Sequence, residues 1–141
     1  MPVKTLIIED SVAARSFLQK RFEEIGCEVV GIAGNSAEGL NMFRSLQPQV
    51  VSLDLLMPDT ADLTSKDLFR IIRKESPGVA VVIISAQPKA SQRSDYIREG
   101  AIEYLEKPFI KFDILAEKLA SLFSDIRPPL RPGYRKRSPL R

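Results

Sequence analysis

The sequence predicts an α/β fold, doubly wound, with five parallel strands and helices on both faces of the sheet. Three observations predict it. Short β-branched runs alternate with longer stretches of helical period along the chain, the pattern of strands connected through helices. Several of those runs are continuously apolar, as strands covered on both faces are. The 141 residues suffice for one such domain with a real core and not comfortably for two.

The strand candidates are Thr5–Ile8, Glu28–Ala33, Gln49–Leu53, Val79–Ile84 and Ala101–Leu105. A helical segment follows each. From Val12 to Ile25, the residues Ala14, Leu18, Phe22 and Ile25 share one stripe, with Ser11 placed to cap the start and Gly26 to end it. A second helix from Ala37 to Leu46 has Asn35 and Glu38 at capping-box spacing, and Pro48 closes it. The third spans Ser65 to Lys74, with Leu68, Ile71 and Ile72 inward, and Ser76 to Gly78 stop it. The fourth runs from Ala90 to Glu99 and ends at Gly100. The last, Lys111 to Phe123, turns Leu115, Leu119 and Leu122 to the core.

Charge is unevenly placed. The net +3 conceals a basic terminus: residues 127–141 carry six Lys or Arg, four Pro and no acid, leaving 15 basic and 18 acidic residues in 1–126. The folded body is therefore expected at 1–126 and mildly acidic, followed by a flexible Pro-rich tail that cannot bury enough surface to offset its ordering entropy. Such a tail reads first as a solvated end or linker, with a polyanion contact as the functional alternative. No histidine and a single cysteine, Cys27, exclude an intrachain disulfide, a zinc cluster and His-dependent acid/base catalysis. Cys27 itself is expected as a small buried residue. The apolar start breaks at Glu9 and Asp10, too soon for a signal-peptide core or membrane span, so the cytoplasm is the expected compartment.

In an open parallel sheet, ligands gather at the carboxyl ends of the strands. There the chain places Glu9, Asp10, Asp54 and Ser85, with Lys107 after the fifth strand. Alone, Glu9 and Asp10 read as a solvated strand end and a helix cap, and Ser85 as a small polar strand end. Together they make a hard-oxygen set suited to Mg²⁺. A carboxylate beside such a cation, with an ammonium nearby, can attack phosphorus to give an acyl phosphate.

At these residues the sequence resembles the receiver domains of two-component response regulators, of the CheY type. The resemblance rests on LIIED (6–10), VVSLDLLMP (50–58), VVIISA (81–86) and GAIEYLEKPF (100–109), in that order and spacing, and covers Val3 to about Phe123. It implies a flavodoxin-like sheet of order 2-1-3-4-5. Asp54 is then the phosphoacceptor, Asp10 a direct Mg²⁺ ligand, Glu9 a ligand through water, and Leu56 a ligand through its backbone carbonyl. Lys107 would contact phosphate, Ser85 would be the switch hydroxyl, Tyr104 the aromatic that follows it, and the Lys107–Pro108 bond cis. For Tyr104 a half-buried strand tyrosine without a switching role is the plain alternative.

The implied function is acceptance of a phosphoryl group from a histidine kinase or phosphotransfer protein, switching the binding of an unspecified downstream partner. It implies a signalling protein and not an enzyme. Two other functions stand beside it: a nonphosphorylated interaction module on the same scaffold, and a phosphohydrolase with an aspartyl nucleophile, which Leu56 disfavours because such enzymes commonly carry a second acid there. Three features depart from the family pattern. The 59–67 segment lacks glycine and is about three residues longer than the usual loop, Leu56 is apolar where polar side chains often help position attacking water, and no output domain is expected after the tail.

Overall fold

The computed structural model describes residues 1–57, 62–86, 90–108 and 111–128. Ten elements alternate along the chain: β1 Val3–Ile8, α1 Val12–Glu24, β2 Cys27–Ala33, α2 Ser36–Leu46, β3 Val50–Asp54, α3 Ser65–Glu75, β4 Ala80–Ser85, α4 Ala90–Arg98, β5 Glu103–Glu106 and α5 Phe112–Leu122. The five strands form one sheet of order β2-β1-β3-β4-β5, and every neighbouring pair is parallel. The flavodoxin-like topology expected from the sequence is thus the one observed.

Burial follows from that arrangement. All residues of β3 and β4 are buried, because both strands lie inside the sheet with helices on each face. Two apolar cores result. One joins Ile7, Val82 and Ile84 to Leu18 and Phe22 of α1 and Phe112, Leu115 and Leu119 of α5. Its centre is the edge-to-face pair of Phe22 and Phe112, with centroids 5.2 Å apart, a geometry the ring quadrupoles favour. The other joins Leu6, Leu53, Val81 and Ile83 to Phe43, Leu68, Phe69, Ile72 and Tyr96.

Local signals explain most element ends. The Ser11 hydroxyl accepts from the Ala14 N–H at 3.3 Å, and Gly26 takes a φ of +100° after α1, where a side chain would be strained. Asn35 Oδ1 accepts from the Glu38 N–H at 2.8 Å, but Glu38 returns its carboxylate to the Gly34 N–H at 3.0 Å instead of to Asn35. The reciprocal capping box belongs to α3, between Thr64 and Asp67.

Two assignments of inward faces need correction, and one inward residue was not assigned. Leu122 is exposed at the last turn of α5, where the neighbouring Phe123 takes the place against the core. In α3, Ile71 is only half-buried while Phe69 is fully buried. The wider apolar face of that helix covers both i and i+1 positions, so Phe69 reaches Tyr96 of α4 at a centroid distance of 5.1 Å.

Of the segment 59–67, residues 59–61 lie outside the described residues, while Asp62 takes a left-handed φ of 57°. The tail from 129 onward also lies outside them. Among the described residues no helix is long and apolar enough to cross a membrane.

Candidate functional site

The site forms where β1, β3 and β4 end. Glu9 follows β1 directly, and its N–H donates to the Ala33 carbonyl at 2.8 Å. Its side chain is buried because the strand end continues inward, whereas Asp10, one residue on, lies exposed. Asp54 is the last residue of β3 and is 1% exposed. One carboxylate oxygen from each of Glu9, Asp10 and Asp54 can be chosen so that all lie within 4.8 Å of one another. Three acids separated by up to 45 positions thus meet at one sheet edge.

Lys107 enters from the end of β5. Its Nζ lies 3.0 Å from Glu9 Oε1 and 3.5 Å from Asp54 Oδ2, and it donates a hydrogen bond to Glu9 Oε2 at 3.2 Å. The Lys107 N–H is tied to the Ser85 carbonyl at 3.0 Å, which fixes the lysine beside the end of β4. Ser85 is buried there. The peptide bond between Lys107 and Pro108 is cis, as the sequence resemblance implies.

The electrostatics follow from burial and crowding. Burial pushes the Asp54 carboxyl up, and the neighbouring Glu9 adds to this against the Leu56 N–H and Lys107, so that it stands at about 7. For Lys107, burial alone would lower the ammonium's pKa, but pairing with Glu9 and Asp54 outweighs it and raises the group above its ordinary value. Leu56 turns its N–H onto Asp54 Oδ1 at 3.0 Å while its side chain stands in solvent.

The donor set is all oxygen, which suits a hard divalent cation. Glu9 Oε1 is buried and accepts no hydrogen bond among the described residues; the Lys107 ammonium 3.0 Å away pairs with it as a charge and leaves the oxygen able to ligate a cation. That combination fits Mg²⁺.

Tyr104 lies on β5, buried, with its hydroxyl donating to Gln92 Oε1 of α4 at 3.2 Å. Its ring is 6.0 Å from that of Tyr96. Sequence reasoning placed it on a strand but did not foresee the α4 contact, since an exposed glutamine carries no signal of its own.

Three further residues were missed. Ser65, the first residue of α3, donates its hydroxyl to the Asp54 carbonyl at 2.9 Å, and so ties the start of that helix to the end of β3. Arg15 of α1 donates from Nε to the Glu9 carbonyl at 2.6 Å. Glu103 is buried on β5 and held by Arg93 of α4 at 2.7 Å and Lys118 of α5 at 2.9 Å. Only Glu103 left a trace in the sequence: an acid inside an otherwise apolar strand needs cationic partners.

A doubly wound parallel sheet with acids and a lysine at its carboxyl edge defines a class of α/β domain whose site is an acidic cluster at the strand ends. More narrowly, the family pattern of the response regulator receiver domain matches residues 5–120, and the chain belongs to that family. Among relatives, it is 28% identical to the chemotaxis protein CheY of Thermotoga maritima over 109 residues, 77% of this chain and 88% of that one. It is 30% identical to CheY of Listeria monocytogenes, covering 76% and 87%. Against the response regulator MprA of Mycolicibacterium vanbaalenii it is 30% identical over 86% of this chain but only 51% of the relative, so the chain spans about half the length of relatives of that kind. Among solved structures, the receiver domain of AraT from Geobacillus stearothermophilus superimposes with a TM-score of 0.72 at 26% identity, covering 86% of this chain and 93% of that one. CheY of Borrelia burgdorferi, crystallised with CheX, BeF3 and magnesium, shares the fold at a TM-score of 0.76 and 24% identity, covering 87% and 90%. The protein is a two-component receiver, a signalling module of a kind not generally classed as an enzyme.

Proposed function

We propose that this receiver accepts a phosphoryl group on Asp54 from a histidine kinase or phosphotransfer protein, in a Mg²⁺-dependent reaction, and thereby changes its affinity for a downstream partner. The observation that carries this reading is the meeting of Glu9, Asp10 and Asp54 within 4.8 Å, with the Lys107 ammonium 3.5 Å from an Asp54 oxygen. Glu9, Asp10, Asp54 and the backbone carbonyl of Leu56 would hold the cation, which supplies neutralising charge to the carboxylates and to the incoming phosphoryl oxygens.

The chain's own residues do the rest. Asp54, deprotonated, attacks phosphorus in line. A new O–P bond forms as the P–N bond to the donor imidazole breaks, and the imidazole leaves with the bonding pair and takes up a proton. Lys107, already beside the nucleophile, pairs with a phosphoryl oxygen in place of a carboxylate oxygen. Positioning and charge neutralisation account for the reaction without an acid/base residue, in keeping with a chain that has no histidine.

The acyl phosphate offers acceptors that the free carboxylate lacks. Ser85 donates its hydroxyl to one of them in the phosphorylated state, and Tyr104 rotates with that movement. Because these bonds exist in only one of two conformations, they shift the population toward it. Composition supports 1–126 as the receiver unit and 127–141 as a basic tail able to contact a polyanion. The lack of a membrane-spanning helix among the described residues is consistent with cytoplasmic signalling.

Intact-mass measurement with Mg²⁺ and a small acyl-phosphate donor tests the proposal, with Asp54→Asn as control. A single adduct on the parent, lost in the variant, is expected. No adduct would favour a nonphosphorylated interaction module, and multiple turnover of phosphate esters would favour a hydrolase.

A further inference from the structure

Arg15 turns back from α1 over the carboxyl end of β1. It is half-buried, and its Nε–H donates to the Glu9 carbonyl at 2.6 Å, a short charge-assisted bond. It engages the backbone and so does not substitute for a cation among the carboxylates. Facing it is Gly34, the residue after β2. A Cβ at that position would run into Arg15 Nη2, although Gly34 is not among the glycines with positive φ. Its backbone therefore accommodates alanine, and the space a methyl group would need is taken by the guanidinium.

The peptide that Arg15 grips joins the two acids of β1's end. Glu9 is anchored on its N–H side by the Ala33 carbonyl at 2.8 Å, and the Ser11 N–H donates to Glu9 Oε2 at 3.1 Å. Without a bond on the carbonyl side, the Glu9–Asp10 peptide plane would be free to rotate. Repulsion among the clustered carboxylates would then drive the two acids apart. We propose that Arg15 is a positioning residue for the acidic site, locking the Glu9–Asp10 peptide so that both carboxylates converge on Asp54, and that glycine stands at position 34 to admit its guanidinium. The inference rests on the reading of this site as a Mg²⁺-dependent phosphoacceptor.

The test compares Arg15→Ala, Arg15→Lys, Gly34→Ala and the Arg15→Ala/Gly34→Ala double variant with the parent. Calorimetric titration with Mg²⁺ alone gives the affinity, and amide hydrogen exchange on the metal-free proteins gives the local order. Removal of a group that orients metal ligands typically weakens binding by roughly 10-fold or more. Arg15→Ala is expected to lose about that much, and Gly34→Ala to lose affinity in the same direction because it evicts the side chain without deleting it. Arg15→Lys should recover part of the loss. The double variant should be no worse than Arg15→Ala, since the two changes break one interaction.

Exchange at Asp10 and Ser11 should quicken in Arg15→Ala and Gly34→Ala while the amides of β4 keep their protection. Unchanged Mg²⁺ affinity in Arg15→Ala, or losses that add in the double variant, would overturn the proposal. If the parent itself binds no Mg²⁺, the phosphoacceptor reading fails separately. The exchange data then decide on Arg15 alone, and unaltered exchange at Asp10 and Ser11 refutes its positioning role.

Discussion

Replacing Asp54 with asparagine should stabilise the metal-free protein at alkaline pH. The carboxyl stands at about 7 against an ordinary 3.8, chiefly through burial. An acid whose folded pKa is raised holds its proton in the native state over a range where the unfolded chain has released it, so unfolding stability falls as pH rises between those two values. Below 3.8 both states are protonated and nothing is lost, and above about 7 the whole penalty applies. Taken at face value the displacement would be worth about 4 kcal/mol. Lys107 keeps about a quarter of its side chain in solvent beside the carboxylate, and water entering there relieves part of the desolvation, which reduces the expected gain to about 1–2 kcal/mol.

Asparagine keeps the oxygen that accepts from the Leu56 N–H at 3.0 Å, and Lys107 keeps its bond to Glu9, so little else is disturbed. For a chain of this size that gain raises the melting temperature by about 4–8 °C. Melts in EDTA at pH 8 and pH 5 provide the assay. The variant should melt higher at pH 8, and its advantage should shrink to less than about half at pH 5, where native Asp54 is largely protonated. Adding Mg²⁺ at pH 8 should reverse the order, because ligand binding stabilises only the form that retains the ligand set. A variant that melts no higher than the parent in EDTA at pH 8 would refute the account of a strained, buried carboxylate.

Other substitutions probe the site and its supports. Leu56→Asn, placing a polar side chain two residues after Asp54 where it can help position an attacking water, should shorten the lifetime of the phosphorylated protein as followed by mass, and an unchanged lifetime would show that the side chain at 56 does not govern dephosphorylation. Ser65→Ala deletes the hydroxyl bonded to the Asp54 carbonyl at 2.9 Å and should cost about 1–3 kcal/mol, seen as a lower urea midpoint with an unchanged slope. Gly26→Ala should cost more than about 1 kcal/mol, since φ is +100° and the new Cβ would lie 2.7 Å from the Asp125 carbonyl oxygen. Equal urea midpoints for the alanine variant and the parent would contradict that.

The architecture was legible because burial on both faces forces strands such as β4 to be apolar from Ala80 through Ile84, and because Gly26 and Ser11 mark helix ends by local chemistry. Helix faces were less so. Periodicity put Leu122 inward, but at the last turn of α5 it is Phe123 that packs against the core. It likewise preferred Ile71 to Phe69, which is buried in the second core and meets Tyr96 of α4 edge to face.

The sequence by itself determined which chemistry is available: acids and a lysine at strand ends, no histidine, and a topology that brings those ends to one edge. The tertiary structure decided how that chemistry is held. Arg15 on a backbone carbonyl, Ser65 on another, and Glu103 between two helices are bonds that join separate elements of the fold. Apart from the acid inside an apolar strand at Glu103, such bonds leave no periodic mark, because each arises only when folding packs one element against another.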